Sequence, residues 1–557
     1  MAEDCMGEWR YSSRLERVLE LIRNLCGLEK GRLSDCFLRK KPLERLLSVY
    51  GNSQNAITWA PRPSPHSGFL WSSNTVKYLV HNHPLPGAHE DSTMPTKRNV
   101  AGPHGQLYAD PTPGTDEDAF QVNNTSEAYY NSAYYLANKN LVQPIPPPRP
   151  NSPSYVDLAD YLPAEMIAAI TAAKSITFHS TGDTGAAKVS AQQNAATALA
   201  EQAGVADAMA ADVQAGGTDA PAFFFHLGDV VYNFGEAQYY YDQFYEPYRA
   251  YDRPIFAIPG NHDGMVFGAS SSAPQVPTLA AFLTNFCATA PGPSPEAATI
   301  SRSVMTQPGV YFTLDAPFVS IIGLYSNVLD TGGGIISSQG GKYPISDVQL
   351  AFLTAELARL KPQRQAGQRA ILIAVHHPPL SCDAKTGGSG GLMQDIDACC
   401  KSAGLWPDLL LSGHAHLYQR FTRTVNGRQA PYIVCGSGGF AATAPMAGAP
   451  PAGTVVGDHK LEIAPIIQFG YLTITTDGKT LTAQFNSAPR NAPVKQLDSV
   501  TVDLVKGVLT AGGSAPAPAP KPAPKPTPKP APNPVHKSKP KPAAPKPEKG
   551  GAKKKTR

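Results

Sequence analysis

The chain has 557 residues, more than one usual domain, and its 42% apolar and 17% charged residues fit a globular protein with extensions, while 54 prolines exclude uniform packing. Its net charge of +4 is unevenly spread: from Ser514 onward twelve Lys or Arg face one acid, Glu548, a surplus of eleven, which leaves −7 on the rest. No stretch approaches the roughly twenty continuous apolar residues of a membrane helix, and Met1 to Asn24 lacks the apolar run of a signal peptide, so the chain as written is expected to be cytoplasmic.

In chain order, residues 1–50 read as a short helical segment, with Leu15, Val18, Leu19, Ile22 and Leu25 at helical spacing. Residues 51–165 are rich in Pro, Asn, Ser and Tyr and show little periodicity. They predict an irregular N-terminal arm over the core, with Pro144 to Pro150 as a linker. The arm's His81, His83, His89 and Glu90 are metal-capable but lack flanking strands to fix a geometry.

Residues 166–505 have a different texture. Ile176 to Phe178, Ala222 to Leu227, Ile255 to Ile258, Ala370 to Val375, Asp408 to Leu411 and Tyr432 to Val434 read as buried strands. Helices are expected at Ala191 to Ala203, Glu236 to Tyr248, Thr278 to Phe286 and Ser346 to Leu360. Tyr311 to Tyr325 and Tyr471 to Phe485, the latter turning at Asp477 and Gly478, add hairpin-like strands, so the fold class is α/β with mixed sheets covered by helices.

From Ser514 the chain has almost no apolar side chains to bury, and residues 506–557 are expected to form a disordered, polyproline-like basic tail. Its charge suits an anionic polymer or surface, and it serves equally as a solubilising spacer. The eight cysteines include no C-x-x-C pair. Cys382 with Cys399 or Cys400 is a candidate loop closure, with free buried thiols as the alternative.

Metal-capable side chains fall just behind the expected strands: Asp183 after Phe178, Asp229 after Leu227, Asn261 after Ile258, His376 after Val375, and His414 with His416 after Leu411. Loops beyond the carboxyl ends of strands in α/β sheets converge on one crevice. Most carry a glycine that lets the backbone turn beside a ligand, as in Gly182-Asp183-Thr184-Gly185, Gly228-Asp229-Val230-Val231-Tyr232, Gly260-Asn261-His262-Asp263 and Gly413-His414-Ala415-His416. One such turn means little; the whole set in this order points to a metal site.

Strand alternation sends one of His376 and His377 to the crevice and the other away, and the residues alone leave the choice open. His262 follows Asn261 directly and is a candidate acid–base group in the same crevice. Asp263 either orients that ring or caps the turn. His179 and His226, near strand ends, read as packed side chains. Gly436-Ser437-Gly438-Gly439 is a weak candidate for backbone amides near a phosphate.

This order of motifs resembles the calcineurin-like metallophosphoesterases, and within them the purple acid phosphatase branch, over roughly residues 175–440. Most other branches place a histidine two residues after the first aspartate. Here that position is Gly185, and Tyr232 stands three residues after Asp229 instead. One departure is Ile373, where the branch usually has Val.

The resemblance implies a four-layer α/β/β/α sandwich with a dinuclear site at its edge. Asp183, Tyr232 and His416 would hold one metal, Asn261, His376 and His414 the other, and Asp229 both. It implies ferric iron (Fe3+) beside Fe2+, Zn2+ or Mn2+, with phenolate and carboxylate suited to the trivalent ion. His262 would act at the leaving group, and His377 is kept as a substrate contact.

The expected activity is hydrolysis of a small phosphoester, a monoester before a diester, by a metal-bridged hydroxide, as in an acid phosphatase. The alternative is an anchored binding or scaffold protein that uses its basic tail. Oligomeric state and substrate identity have no sequence signal. The Gly/Ser-rich segments Val266 to Pro277 and Thr331 to Tyr343 read as rims without a legible preference.

Overall fold

The computed structural model describes residues 144–185, 200–232, 235–264, 279–298, 300–326, 334–384, 387–440, 445–490 and 492–510. The helical segment from Ser13, the His81 to Glu90 cluster, Cys5, Cys26 and Cys36, the rim from Val266 to Pro277 and the basic tail from Ser514 lie outside them.

Taken along the chain, strand β1 (Tyr155–Asp157) and helix α1 (Ala164–Ala173) precede β2 (Ile176–Thr181), helix α2 (Ala200–Ala215), β3 (Phe224–His226) and β4 (Ile255–Ala257). Helix α3 (Ala280–Phe286) leads to β5 (Phe312–Ala316), β6 (Val319–Leu324), helix α4 (Val348–Gln365), β7 (Ala370–Val375), helix α5 (Gly390–Ala403) and β8 (Leu409–Ser412). There follow β9 (Tyr418–Val425), β10 (Arg428–Cys435), β11 (Val455–Val456), β12 (His459–Ile466), β13 (Gly470–Thr476), β14 (Thr480–Ser487), β15 (Lys495–Asp503) and β16 (Val508–Thr510).

The strands form two mixed sheets, one in the order β1-β5-β6-β7-β8-β10-β9-β12-β11, the other β16-β15-β14-β13-β2-β3-β4. Alternation along β7 explains how the first is covered on both faces. Ala370, Leu372 and Ala374 join Phe178, Phe225 and Leu472 of the second sheet in one core, while Ile371, Ile373 and Val375 pack against Leu353 and Leu357 of α4 and Ile396 of α5.

The second sheet repeats the pattern. Phe223 and Phe225 face the inter-sheet core, and Phe224 turns out to Val205, Met209 and Val213 of α2. The layers are therefore helix, sheet, sheet, helix, and each fully buried Val, Leu, Ile, Phe or Met side chain in the three clusters contributes about 1.5–3 kcal/mol.

Some elements differ from expectation. Glu236 to Tyr248 is a 3-10 turn at Ala237–Tyr239 followed by a π-helical turn at Tyr241–Tyr245, where Glu246 N–H donates to Tyr241 O at 2.8 Å. That turn aims Gln243 at a neighbouring backbone. Helix α2 is described from Ala200 to Ala215, and the earlier part of the expected Ala191 to Ala203 helix lies outside the described residues.

Helix α5 was not among the expected helices, although Leu392, Ile396, Cys399 and Cys400 recur at helical spacing and are its buried face; Ser389 caps Leu392 N–H, and Gly404 ends it in a left-handed conformation. Cys382, Cys399 and Cys400 are free thiols, as are Cys287 and Cys435, so the candidate loop closure is not made.

Before β1, Ile145 packs against the α2-side cluster and Arg149 donates to the carbonyls of Ala288, Thr289, Thr306 and Gln307. β1 then adds to β5 in parallel, Val156 opposite Leu314. Among the described residues no helix is long and apolar enough to cross a membrane.

Candidate metal centre

The parallel strands β2, β3 and β4 run side by side, and the turns after their carboxyl ends present Asp183, Asp229 and Asn261 in a row. The turns after β7 and β8 of the other sheet bring His376 and His414 to the same crevice. Asp183, Asp229 and His414 all have left-handed backbones, at φ 58°, 55° and 67°. Non-glycine residues rarely sit there, and such strain gathers at functional sites.

Glycines make room. At Gly228 (φ 94°) a Cβ would meet Gly260 N at 2.6 Å and His376 Nδ1 at 2.8 Å. At Gly413 and Gly436 it would meet Asp183 Oδ2 at 2.6 and 2.7 Å. The Gly436 to Gly439 loop is thus packed beneath Asp183. Its Gly436 and Gly438 amides are spent on Leu417 O (3.2 Å) and Gly182 O (2.9 Å), so they are not aimed at a phosphate.

Two sets of side chains flank Asp229. On one side the Tyr232 hydroxyl lies 3.1 Å from Asp183 Oδ1, 3.0 Å from Asp229 Oδ2 and 3.3 Å from His416 Nε2. On the other, Asn261 Oδ1 lies 3.1 Å from His376 Nε2 and 2.9 Å from His414 Nδ1, and His376 Nε2 is 3.3 Å from Asp229 Oδ2. Donor atoms of Asp229, His376 and His414 all fall within 4.8 Å of one another.

All seven donors expected from sequence therefore meet in one crevice. Of the adjacent histidines, His376 enters it; His377 is buried, with Nδ1 2.8 Å from Ser326 Oγ and its ring 4.2 Å behind that of His414.

Residues 177–418 match the profile of the calcineurin-like phosphoesterases. This stretch is a calcineurin-like phosphoesterase domain. The family is one of metal-dependent phosphoester hydrolases. Among solved structures, the chain is similar to a purple acid phosphatase from yellow lupin seeds, at 16% identity over 59% of this chain and 54% of that one, with a TM-score of 0.41. It is similar also to the anchor in the inner membrane complex of Plasmodium (14%, 58% and 89%, TM-score 0.38) and to a dimetal phosphatase from Danio rerio (13%, 58% and 98%, TM-score 0.32). The chain spans about half the length of the lupin enzyme. No curated protein matches it.

The phosphoesterase domain fits cations at this place. His376 faces acceptors with both ring nitrogens, Leu227 O at 2.8 Å from Nδ1 and the Asn261 and Asp229 oxygens from Nε2. Burial disfavours its charge, but Asp229 and then Asp183 outweigh that and raise it to about 9. Burial would raise Asp229, yet His376, His262 and His414 hold it well below the usual carboxylate range. Burial, then Asp183 and Asp229, pushes Tyr232 well above an ordinary phenol. Protons thus stand where acceptors converge, and a cation replaces a proton in such a place.

The remaining sequence candidates take supporting positions. His262 donates its amide to Asp229 Oδ1 at 2.8 Å, and its ring lies 4.4 Å from that of Tyr232. The Asp263 carboxylate accepts from Gly260 N (2.8 Å), Val230 N (3.1 Å) and Val231 N (3.3 Å), tying the Asn261 turn to the Asp229 turn. Burial and then Asp229 push it up to about 7, against the Gly260 and Val230 amides. His179 bonds Tyr251 and Asp212 in a buried position, and His226 lies just behind the donor turns, bonding Thr184 through Nε2 and accepting the Gly228 amide at Nδ1. Burial and then the charge of His376 lower both His226 and His377 to about 3.

Sequence reading missed two supports of Tyr232. Phe440 stacks on its ring, centroids 3.6 Å apart and 3° from parallel. Gln243 pairs with both its backbone N–H and C=O at 2.9 Å. Gln243 was hidden because the π turn that aims it has no local signature. Phe440 directly follows the glycine loop, and an aromatic at that place was the available signal. At Gly185, a Cβ would strike the Tyr232 ring and come 2.6 Å from Gln243 Oε1. The tyrosine ring occupies the room that a side chain at position 185 would need.

Proposed function

We propose that the chain hydrolyses small phosphoesters, monoesters by preference, at a two-cation centre. Asp183, Tyr232 and His416 would hold one cation, Asn261, His376 and His414 the other, and Asp229 would be shared between them. The observation that carries this reading is the pair of donor sets on either side of one buried carboxylate, each with nitrogen and oxygen donors. When bound, two cations lower the pKa of a water and neutralise charge that develops on the phosphoryl group.

The chain's own residues do the rest. His262 is partly exposed beside Tyr232, where its ring can give a proton to the leaving oxygen. Asp263 holds the two ligand turns in register, and His376 Nδ1–H on Leu227 O leaves Nε2 as the nitrogen that faces the cation.

Purified protein should release p-nitrophenol from p-nitrophenyl phosphate faster than from its bis ester. Dialysis against a chelator should abolish turnover, and added divalent and ferric ions should restore it. Turnover unaffected by chelation, with no metal found by elemental analysis, would sink the proposal.

The purple acid phosphatase reading, with ferric iron at the Tyr232 side, is supported by the exchange of room between Gly185 and Tyr232. It predicts a visible charge-transfer band in iron-loaded protein that Tyr232→Phe bleaches. An unchanged spectrum removes the ferric phenolate and leaves a two-metal hydrolase standing.

A further inference from the structure

A cleft of about 830 Å³ opens away from the metal centre. Pro254, in its wall, directly precedes β4, whereas Asn261 follows the other end of that strand, so the two sites lie at opposite margins of the sheet. One part of the wall is apolar, with Val156, Tyr161, Ile300 and Val304. The rest holds four arginines, Arg149, Arg249, Arg253 and Arg302, against two acids, Asp160 and Asp252.

Two of these guanidinium groups are fixed by neutral partners. Arg149 donates to four carbonyls at 2.6–3.3 Å. Arg302 donates to Arg253 O at 3.2 Å, to Tyr248 O at 3.0 Å and to Tyr251 O. Carbonyl dipoles orient a charge without cancelling it, and among the described residues neither side chain makes an ion pair.

The other two have acids they can exchange. Arg249 pairs with Glu246 at 3.1 Å from a side chain 46% exposed, and Arg253 pairs with Asp252 at 2.7 Å, Asp252 being 66% exposed. Their partners, Glu246 at 7% and Arg253 at 19% exposure, are more enclosed, so solvent screens only one end of each pair. The chain outside its tail is acidic by seven charges, so a partly enclosed surplus of arginine is local to this cleft. Its volume is that of a small-molecule site, and arginine is the residue best suited to oxyanions.

We propose that this cleft binds a small amphiphilic oxyanion, its phosphoryl or carboxylate head against the arginines and its apolar body against Val156, Tyr161, Ile300 and Val304. The proposal stands apart from the hydrolytic reading, because it shares no residue with the metal centre.

Calorimetric titration with phenylphosphonate, which is not hydrolysed, tests it. In full-length protein carrying Asp229→Asn and His414→Ala, which disable the metal centre, one saturable binding event should remain. Adding Arg249→Glu with Arg253→Glu should weaken it at least tenfold. Ser301→Trp, which fills the cleft without altering a charge, should do the same and keeps the test decisive if the arginine variant misfolds. Benzyl alcohol, the same body without the anion, should bind at least tenfold more weakly. The proposal is overturned by absence of binding once the metal centre is disabled, by binding that survives both cleft changes, or by benzyl alcohol binding as tightly as the phosphonate.

Discussion

Replacing Asp229 with Asn should lower kcat/KM on p-nitrophenyl phosphate by roughly 10³ or more while leaving the protein folded. The side chain is 1% exposed, and one oxygen accepts the His262 amide while the other faces Tyr232 and His376. Asparagine keeps the shape and the acceptor for His262 but removes the charge that two cations would share. Removing an acid also relieves a buried charge, so melting should change little. Kinetics with a parallel melting curve check this. Turnover within tenfold of the parent at equal stability would mean that Asp229 is no shared ligand.

Arg364→Ala should be the most damaging single change to stability, at about 3–5 kcal/mol, or about 5 °C in melting temperature for a domain of this size. Its guanidinium holds Asp408 through Nε at 2.6 Å and Nη2 at 2.7 Å, and Nη2 also reaches Leu504 O at 2.7 Å. Asp408 in turn accepts Ile371 N–H at 2.9 Å. One arginine of α4 thus joins the start of β8, the start of β7 and the chain just after β15, so the two sheets share a clamp. Its loss leaves a carboxylate that is 4% exposed with Arg428, 3.7 Å away, as its remaining cation. Replacing both partners, Arg364→Met with Asp408→Leu, should recover most of the loss because no charge is then left buried. Chemical denaturation of the two variants separates these outcomes, and equal loss in both would show that packing, not charge, matters here.

The α/β class and two mixed sheets were legible because strands buried on both faces read as short apolar runs, as in Ala370 to Val375. The crevice was legible because each donor follows a strand within a few residues, so one topological rule gathers Asp183, Asp229, Asn261, His376 and His414. The choice of His376 over His377 was not, since it turns on Leu227 O and Ser326 Oγ, which lie 149 and 51 residues away.

Long-range pairing hid other parts as well. β1 is three residues whose partners, Thr313 to Asp315, lie some 160 positions on, and nothing local marks them. Glu236 to Tyr248 has helical composition, but its aromatic residues pack on several sides, and the turn widens to seat Gln243 on Tyr232. Backbone strain at Asp183, Asp229 and His414 leaves only a weak trace in residue type, since Asp and His enter the left-handed region more readily than most side chains but are far commoner outside it.

The contest for space between Gly185 and Tyr232 also bears on how such a centre changes over generations. A lineage that swaps tyrosine for histidine across these positions cannot do so in one step. Adding the new side chain first jams two rings into one gap, and removing the old one first leaves the gap empty. The two codons are therefore expected to turn over together.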